Sequence, residues 1–221
     1  MEAGGSPPGG PAGGPPRHLQ VLGRLINVAV TRAPVLWPLF RGITHRVFER
    51  AASSWSQPRR EAPEYLAPLA AGLLEVSPVP ERALDVGTGT GAGALLVARE
   101  FPQARVRGVD LSEEMIRHAR ARTGLDPEGR IAFKVADAAK LPWPDESFDL
   151  ITQLNMPPFF TEVARVLRPG GNVVIAASNG PSTPFYTPDA VLRRGFGKHG
   201  LETVATGGAG SGTYLVARLP S

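Results

Sequence analysis

Short apolar strand patterns alternate with helix patterns from residue 83 to residue 177, and this alternation is what most limits the possible folds. Parallel strands need long crossover connections, which helices supply, so the alternation predicts an α/β fold with a doubly wound, mostly parallel sheet. After a helix at 65–75, the expected elements are strand 83–87, helix 92–100, strand 105–110, helix 113–122, and strands 131–137, 148–154 and 172–177. Near the end of the chain, ETVAT and TYLVARL, separated by GGAGSG, predict a hairpin.

Two segments precede this region and differ from it in composition. Residues 1–16 are mostly glycine, proline and alanine, without the basic start and apolar block of a signal peptide, and they predict a disordered tail. Residues 17–52 carry apolar side chains at helical spacing and predict a helical extension, with helices at 22–33 and 36–51. The remaining residues, 53–221, have the length of one α/β domain.

The formal net charge of +4 arises in one part of the chain. Residues 17–50 hold six arginines and one acidic residue, Glu49, so the rest is close to neutral and predicts no nucleic-acid partner. Arginines interrupt the apolar stretches of this extension, so no membrane span is expected. Three interpretations stay open: helices packed on the domain edge, a lid over an acceptor pocket, or peripheral contact with a membrane surface.

Cysteine and histidine usage limits the kind of site. The chain has no cysteine, which excludes disulfides, a thiolate zinc site and a cysteine nucleophile, and which is compatible with a reducing compartment. Its four histidines do not have the spacing of metal ligands. We therefore expect a cytoplasmic protein without a metal ion.

A glycine-rich segment, Asp85-Val-Gly87-Thr-Gly89-Thr-Gly91, lies directly after an expected strand and before an expected helix. Glycines there let the backbone turn sharply and let a ligand approach where a Cβ would collide. Because Gly87, Gly89 and Ala92 also fit the dinucleotide spacing, the loop alone does not choose between cofactors. Asp85 would organise the loop or, through water, bind a ligand ammonium group, whereas it would repel a pyrophosphate.

Two further acidic residues end the next strands at the same edge of the expected sheet. Asp110 ends the second strand, where a carboxylate can accept hydrogen bonds from both hydroxyls of an adenosine ribose. Its alternative role, a helix cap, suits Ser112 better. Asp137 ends the third strand and could accept a hydrogen bond from an adenine amine, with a solvated loop residue as the alternative. Asp149 lies inside a strand, where we expect a structural role near the preceding turn.

Four motifs follow one another in this chain: ALDVGTGTGAGAL, VRGVDLSEEMI, VADAAKLPWPDESFDLI and ARVLRPGG. In this order they resemble the class I S-adenosylmethionine-dependent methyltransferases, particularly the ubiquinone/menaquinone-biosynthesis-like group, over roughly residues 60–221. The resemblance implies a Rossmann-like, seven-stranded sheet with an antiparallel last strand, in agreement with the expected hairpin. It also implies S-adenosyl-L-methionine as cofactor, no metal, and a monomer or weak dimer.

The resemblance also implies a role for each matching position. The segment RVLRPGG, residues 165–171, is structural in the family. The expected cofactor-binding residues are Asp85, Gly87, Thr88, Gly89 and Gly91 around the methionine part, Asp110 on the ribose, Leu111 against the adenine, Asp137 with Ala138 at the adenine edge, and Gln153, whose backbone would border the methyl-donor side.

The sequence departs from the family pattern after the fourth strand. Relatives usually carry a longer segment there, often with histidines, whereas only residues 155–160 intervene here before the helix that ends in RVLRPGG. The side chains of Trp37, Phe40, Phe159 and Phe160 could form an apolar acceptor pocket or simply belong to the core. No catalytic residue is assigned, and candidates for an optional general base, if they face the methyl group, are His45, Tyr186 and Asp189.

Together these patterns predict a methyltransferase that moves the methyl group of S-adenosylmethionine in line onto a small, fairly apolar acceptor. Two alternatives remain. A non-catalytic cofactor-binding protein could keep the same fold, because fold alone does not imply activity. A nicotinamide oxidoreductase would share the glycine turn and one acidic residue, but it does not predict Asp85, Asp137 or the terminal hairpin.

Overall fold

The computed structural model describes residues 17–52, 62–124, 126 and 128–221. Within them, the strands are β1 (Arg82–Val86), β2 (Arg105–Asp110), β3 (Ile131–Val135), β4 (Phe148–Leu154), β5 (Leu167–Ala177), β6 (Glu202–Ala209) and β7 (Gly212–Arg218). The α-helices in the same residues are α1 (Arg17–Arg32), α2 (Trp37–Ala52), α3 (Pro63–Leu73), α4 (Ala92–Glu100), α5 (Glu113–Arg122), α6 (Phe160–Val166) and α7 (Asp189–Gly197).

The strands form one seven-stranded sheet in the order β3-β2-β1-β4-β5-β7-β6. Strands β1 to β5 pair in parallel, and β7 is antiparallel to both β5 and β6. The expected Rossmann-like, doubly wound sheet with an antiparallel last strand is therefore confirmed. The strand order reverses between β1 and β4, and the crevice at the carboxyl ends of strands beside such a reversal is where α/β folds bind ligands.

Helices cover both faces of the sheet and create two apolar cores. One core joins the strands to α3, α4 and α5 through buried side chains such as Leu69, Val97 and Ile116. The other joins them to α6 and α7 through Val163 and Phe196. The strands between these layers are buried on both faces, which explains why FDLITQL is almost wholly buried rather than alternating.

Several boundaries differ from those read from the sequence. Strand β5 begins at Leu167 rather than at residue 172, because the backbone of Gly170 and Gly171 exchanges hydrogen bonds with Leu219. Strands β6 and β7 extend into GGAGSG, which leaves residues 210–211 as the turn. Glycine carries no side-chain pattern that could have indicated either extension. Strand β3 ends at Val135, two residues early, because Asp137 turns back to form a bridge with Lys140.

The helical extension packs on the carboxyl edge of the sheet. Helices α1 and α2 meet Phe159 in a small apolar cluster that includes Ile26 and Trp37. The Asn27 side chain of α1 donates to the Tyr186 carbonyl (2.9 Å) and accepts from the Thr187 hydroxyl (3.0 Å). None of the described helices combines the length and apolar character needed to cross a bilayer. The tail expected at residues 1–16 lies outside the described residues, as do residues 53–61.

Candidate functional site

The glycine loop joins β1 to α4 through a backbone that only glycine adopts easily. Gly87, Gly89 and Gly91 have φ values of 71°, 53° and 87°, in the left-handed region where a Cβ is strained. The Thr88 amide donates to the Val109 carbonyl (2.8 Å), which ties the loop to β2. The loop is therefore tied to the neighbouring strand while its glycines border the crevice.

Asp85 lies beneath this loop and organises it. Its carboxylate is 2% exposed and accepts hydrogen bonds from the hydroxyls of Thr88 and Thr152, both at 2.7 Å. A Cβ at Gly93 would lie 2.9 Å from Asp85 Oδ2, so α4 approaches the carboxylate closely because residue 93 has no side chain. These contacts agree with the first role expected for Asp85, that of holding the loop in place.

The pKa of Asp85 carries a testable consequence. Burial raises this pKa from 3.8 to about 6, although hydrogen bonds from Thr88 and Thr152 act in the opposite direction. A raised folded-state pKa means that the folded protein holds a proton that the unfolded chain has already released. The contribution of Asp85 to stability is therefore complete below about pH 4 and is lost as the pH rises through about 6.

We expect the free energy of unfolding of wild type, relative to Asp85→Asn, to fall between about pH 4 and 6 in urea titrations. Asp126→Asn is the matched control with the opposite sign, because a hydrogen bond from the Ile131 amide lowers the pKa of Asp126. The stabilisation from Asp126 is lost as the pH falls. An Asp85 carboxyl signal that titrates near 3.8 in carbon NMR would contradict the expectation.

Asp110 lies at the end of β2, beside the glycine loop. Its Oδ2 accepts the Gly89 amide at 2.9 Å, and its Oδ1 accepts the Ser112 amide at 3.0 Å. The Ser112 hydroxyl accepts the Met115 amide (3.1 Å) and is the N-cap of α5. The cap therefore belongs to Ser112, as expected, and the Asp110 carboxylate stands at the loop.

Asp137 has partners that the sequence did not indicate. Trp37 Nε1 of α2 donates to both of its carboxylate oxygens, at 2.9 and 3.2 Å, and Arg41 Nη1 lies 3.5 Å from Oδ2. The Ala139 amide also donates to Oδ1 (2.9 Å). With 18% of its side chain exposed, Asp137 is not a solvated loop residue. The neighbouring Ala138 packs against the apolar cluster around Trp37.

Gln153 borders the crevice from β4 and is fully buried. Its Nε2 lies 3.6 Å from the Met156 sulfur, while its Oε1 has no hydrogen-bond partner among the described residues. A Cβ on Gly87 would overlap the same sulfur, so Met156 fills the space between the glycine loop and Gln153. This contact could not be predicted, since Met156 belongs to the short segment that departs from the family pattern. Leu111, like Met156, packs against the cluster of Trp37 and Phe159.

The remaining candidates have mainly structural surroundings. His45 lies on α2, 3.6 Å from Glu49. Burial and the nearby Asp189 raise the pKa of Tyr186, whose carbonyl is bound by α1. Phe160 packs edge-on against the core residue Phe196, with ring centres 4.9 Å apart. In the described part of the chain, no group of three or more His, Asp or Glu side chains is placed to hold a metal ion.

Two other expected structural roles can be located. Asp149 accepts the amides of Glu81 and Arg82 at 3.0 and 2.8 Å, at the start of β1. Arg165, the first residue of RVLRPGG, bonds Glu162 and the carbonyls of Leu141 and Trp143, and so fastens the loop before β4 to α6. These contacts hold the scaffold on the side away from the glycine loop.

Comparison with known proteins shows which proteins this chain resembles. Residues 83–171 match the methyltransferase domain. The chain is 36% identical over 146 residues to the demethylmenaquinone methyltransferase of Deinococcus radiodurans, covering 62% of this chain and 59% of that protein. It is 40% identical over 98 residues to the fatty-acid O-methyltransferase of Mycolicibacterium smegmatis, covering 41% and 35%. The crystal structure of a SAM-dependent methyltransferase from Aquifex aeolicus aligns with a TM-score of 0.64 at 19% identity, over 77% of this chain and 98% of that chain.

The chain spans 59% and 35% of the lengths of these two curated relatives, less than two thirds in each case. At 19% identity, the Aquifex structure bears on the fold alone. The matched residues 83–171 contain the glycine loop, Asp110, Asp137 and Gln153. The resemblance read from the sequence is thereby confirmed: residues 83–171 match the methyltransferase domain, and the chain is similar to class I S-adenosylmethionine-dependent methyltransferases, among them members of the ubiquinone/menaquinone-biosynthesis-like group.

Proposed function

We propose that this chain is an S-adenosylmethionine-dependent methyltransferase that acts on a small, fairly apolar acceptor. The observation that carries the proposal is the position of the Asp110 carboxylate beside the glycine loop. Its Oδ2 accepts the Gly89 amide at 2.9 Å, and the loop glycines adopt the positive φ values of the left-handed region. A carboxylate there suits ribose hydroxyls, and the loop suits the close approach of a ligand. The buried, unpartnered Oε1 of Gln153 offers a further acceptor for a donor group in the crevice.

Each group of residues would bind a different part of the cofactor. Asp85, Gly87, Thr88, Gly89 and Gly91 would hold the methionine part, with Gln153 on the methyl-donor side. Asp110 would bind the ribose. Leu111, Asp137 and Ala138 would contact the adenine. Support comes from their common position at the carboxyl ends of β1, β2, β3 and β4.

S-adenosylmethionine, when bound, supplies an activated methyl group on a positively charged sulfur. The protein's tasks are then to align donor with acceptor and to exclude water. Phe159 packs in the apolar cluster beside the crevice and Tyr186 lines a small cavity with Met156, so these two side chains could shape an apolar acceptor site. We assign no general base, because none of the described residues has a contact that singles it out.

Two curated relatives bear on the kind of acceptor. The acceptors named for the two curated relatives, a demethylated menaquinone and a fatty acid, are both largely apolar. We propose a similar apolar small molecule here, a monomer or weak dimer, and a cytoplasmic location. The absence of cysteine is compatible with the reducing environment of that compartment.

The decisive experiment combines calorimetry with a methyl-transfer assay. Purified protein should bind S-adenosylmethionine and S-adenosylhomocysteine, and mass spectrometry should find metabolites that gain one methyl group when cofactor and cell extract are supplied. Cofactor binding without any methylated product would favour the non-catalytic alternative. Binding of a nicotinamide cofactor instead would favour the oxidoreductase.

We further propose that residues 17–52 cover the acceptor side as a lid and contact a membrane surface peripherally. Seven of the eleven exposed large apolar side chains among the described residues lie between Val21 and Ile43. On α1, Val21, Leu25 and Val28 share an exposed stripe with two arginines, Arg24 and Arg32. An apolar stripe flanked by arginine suits the interface of an anionic bilayer.

We therefore expect the protein to cosediment with vesicles that contain phosphatidylglycerol, and much less with neutral phosphatidylcholine vesicles. Leu39→Glu should reduce the bound fraction of protein at least about threefold. Leu39 is 72% exposed, and a glutamate there would be repelled by the negatively charged headgroups. Leu74→Glu is the matched control, since Leu74 is 82% exposed on another part of the surface. Equal binding of both variants would argue against the membrane contact.

A further inference from the structure

The Trp37 side chain lies where, under the proposed function, we expect the adenine of the bound cofactor. Its indole is 6% exposed and donates to Asp137, the residue assigned to the adenine amine. Leu111 and Ala138, the other two positions assigned to adenine, pack against the apolar cluster that contains Trp37. An indole resembles adenine in being a flat aromatic double ring with an N–H donor at its edge.

Met156 lies where the proposed function expects the methionine part of the cofactor. Its sulfur occupies the space that a Cβ on Gly87 would enter, and it is 3.6 Å from Gln153 Nε2. Met156 also packs against the cluster of Trp37 and Phe159. The thioether therefore stands between the glycine loop and β4, and the Trp37 indole continues the filled space toward Asp137.

We propose that Trp37 and Met156 act as internal substitutes for the two ends of the cofactor, so that this closed arrangement and cofactor binding exclude one another. The inference rests on the proposed function, since it takes the assigned cofactor positions as given. Trp37 and an adenine amine would compete for the same Asp137 oxygens. Met156 and a methionine chain would compete for the same volume beside Gly87.

The contacts of the extension indicate which part has to move. Helix α1 is held by Asn27, which is 7% exposed and bonded to residues 186 and 187. Helix α2 contributes Trp37 and the exposed Arg41, whose contact with Asp137 is long at 3.5 Å. The short turn Pro34–Leu36 joins the two helices. The far end of α2 is held too, because Glu49 Oε1 accepts the Glu114 amide of α5 at 3.4 Å. Opening therefore requires at least the first turn of α2, which carries Trp37, to leave Asp137, while Asn27 can keep α1 in place.

If only open molecules bind the cofactor, the apparent dissociation constant equals the intrinsic one divided by the fraction of molecules that are open. The effect is reciprocal, so bound cofactor must favour the open extension by the same factor. The buried Gln153 Oε1, unpartnered in the closed arrangement, also favours the exchange of Met156 for a ligand that carries N–H donors.

The test is calorimetric titration of the full chain with S-adenosylhomocysteine, which needs no turnover. Trp37→Ala and Met156→Ala should each bind about five- to tenfold more tightly than wild type, because they destabilise the closed arrangement. Trp37→Phe, which keeps the apolar ring but loses the donor to Asp137, should give a smaller gain. Trp143→Phe is the control, since Trp143 packs against Phe148 in the other core.

Each outcome decides between alternatives. Weaker binding by Trp37→Ala in a folded protein would make Trp37 a wall of the cofactor site and would overturn the inference while leaving the proposed function intact. Failure of wild type and all variants to bind would overturn the proposed function and the inference with it. Unchanged affinity in the three crevice variants would also refute the exclusion.

Fluorescence gives a second readout that does not depend on affinity. A variant with Trp37 as its sole tryptophan, made by Trp55→Phe and Trp143→Phe, should shift its emission to longer wavelength when S-adenosylhomocysteine is added. The shift is expected because the indole leaves a site where it is 6% exposed. Saturation with ligand without a red shift would show that Trp37 stays in place and would refute the inference.

Discussion

Gly89→Val is expected to weaken the binding of S-adenosylmethionine more than about 100-fold, the largest effect of any substitution considered, because a β-branched residue is strained in the left-handed region. Gly89 has a φ of 53°, and its amide donates to Asp110 Oδ2 at 2.9 Å. Relief of the strain would rotate this peptide and break the contact between loop and carboxylate. The loop would then lose the shape on which the proposed binding of the methionine part and the ribose depends.

The control for this prediction separates lost affinity from lost stability. Gly200 also has a positive φ, 81°, and a Cβ there would make an ordinary contact of 3.8 Å with Leu219. It precedes β6, at the edge of the sheet opposite the glycine loop. Gly200→Val should lower the melting temperature about as much as Gly89→Val, without loss of affinity. Wild-type affinity in folded Gly89→Val would remove this loop from the cofactor site.

Much of the fold could be predicted because parallel strands leave a clear pattern in sequence. Strands β2 and β4 and helices α4 and α5 have the predicted boundaries, since each is a compact apolar or amphipathic run bounded by turn residues. The acidic residues Asp85 and Asp110 end or nearly end their strands, so their shared edge follows from parallel topology. Whether a residue lies at the end of a strand depends on its neighbours in the sequence, so it can be predicted from them.

Contacts between distant segments could not be predicted in the same way. Thr152 bonds Asp85 across 67 residues because β1 and β4 are adjacent with Asp85 opposite Thr152, and no local pattern fixes that register. Trp37 reaches Asp137 across 100 residues, from a helix whose docking depends on tertiary packing. Aromatic spacing on α2 indicated only an apolar face, not which carboxylate its indole would meet.

The role of Asp110 is tested most directly by Asp110→Ala, for which we expect affinity for S-adenosylmethionine to fall by about 1–3 kcal/mol, or about 5- to 150-fold. The reason is that a carboxylate makes charge-assisted hydrogen bonds, which are stronger than neutral ones. The same side chain accepts the amides of Gly89 and Ser112, so the substitution also loosens the loop. Asp110→Asn, which keeps one acceptor oxygen and lacks the charge, should lose less.

Cofactor analogues distinguish a bond to the ribose from this indirect effect on the loop. In wild type, 2′-deoxy and 3′-deoxy analogues should each bind more weakly than the parent cofactor, because each lacks a hydroxyl that, on the proposed role of Asp110, donates a hydrogen bond to its carboxylate. In Asp110→Ala the hydroxyls have no such partner, so the deoxy analogues should bind this variant almost as well as the parent cofactor does. The effects of the substitution and of the missing hydroxyl on affinity should therefore be strongly non-additive. If the deoxy analogues lost as much affinity in Asp110→Ala as in wild type, the carboxylate would act on the loop alone and the ribose would be bound elsewhere.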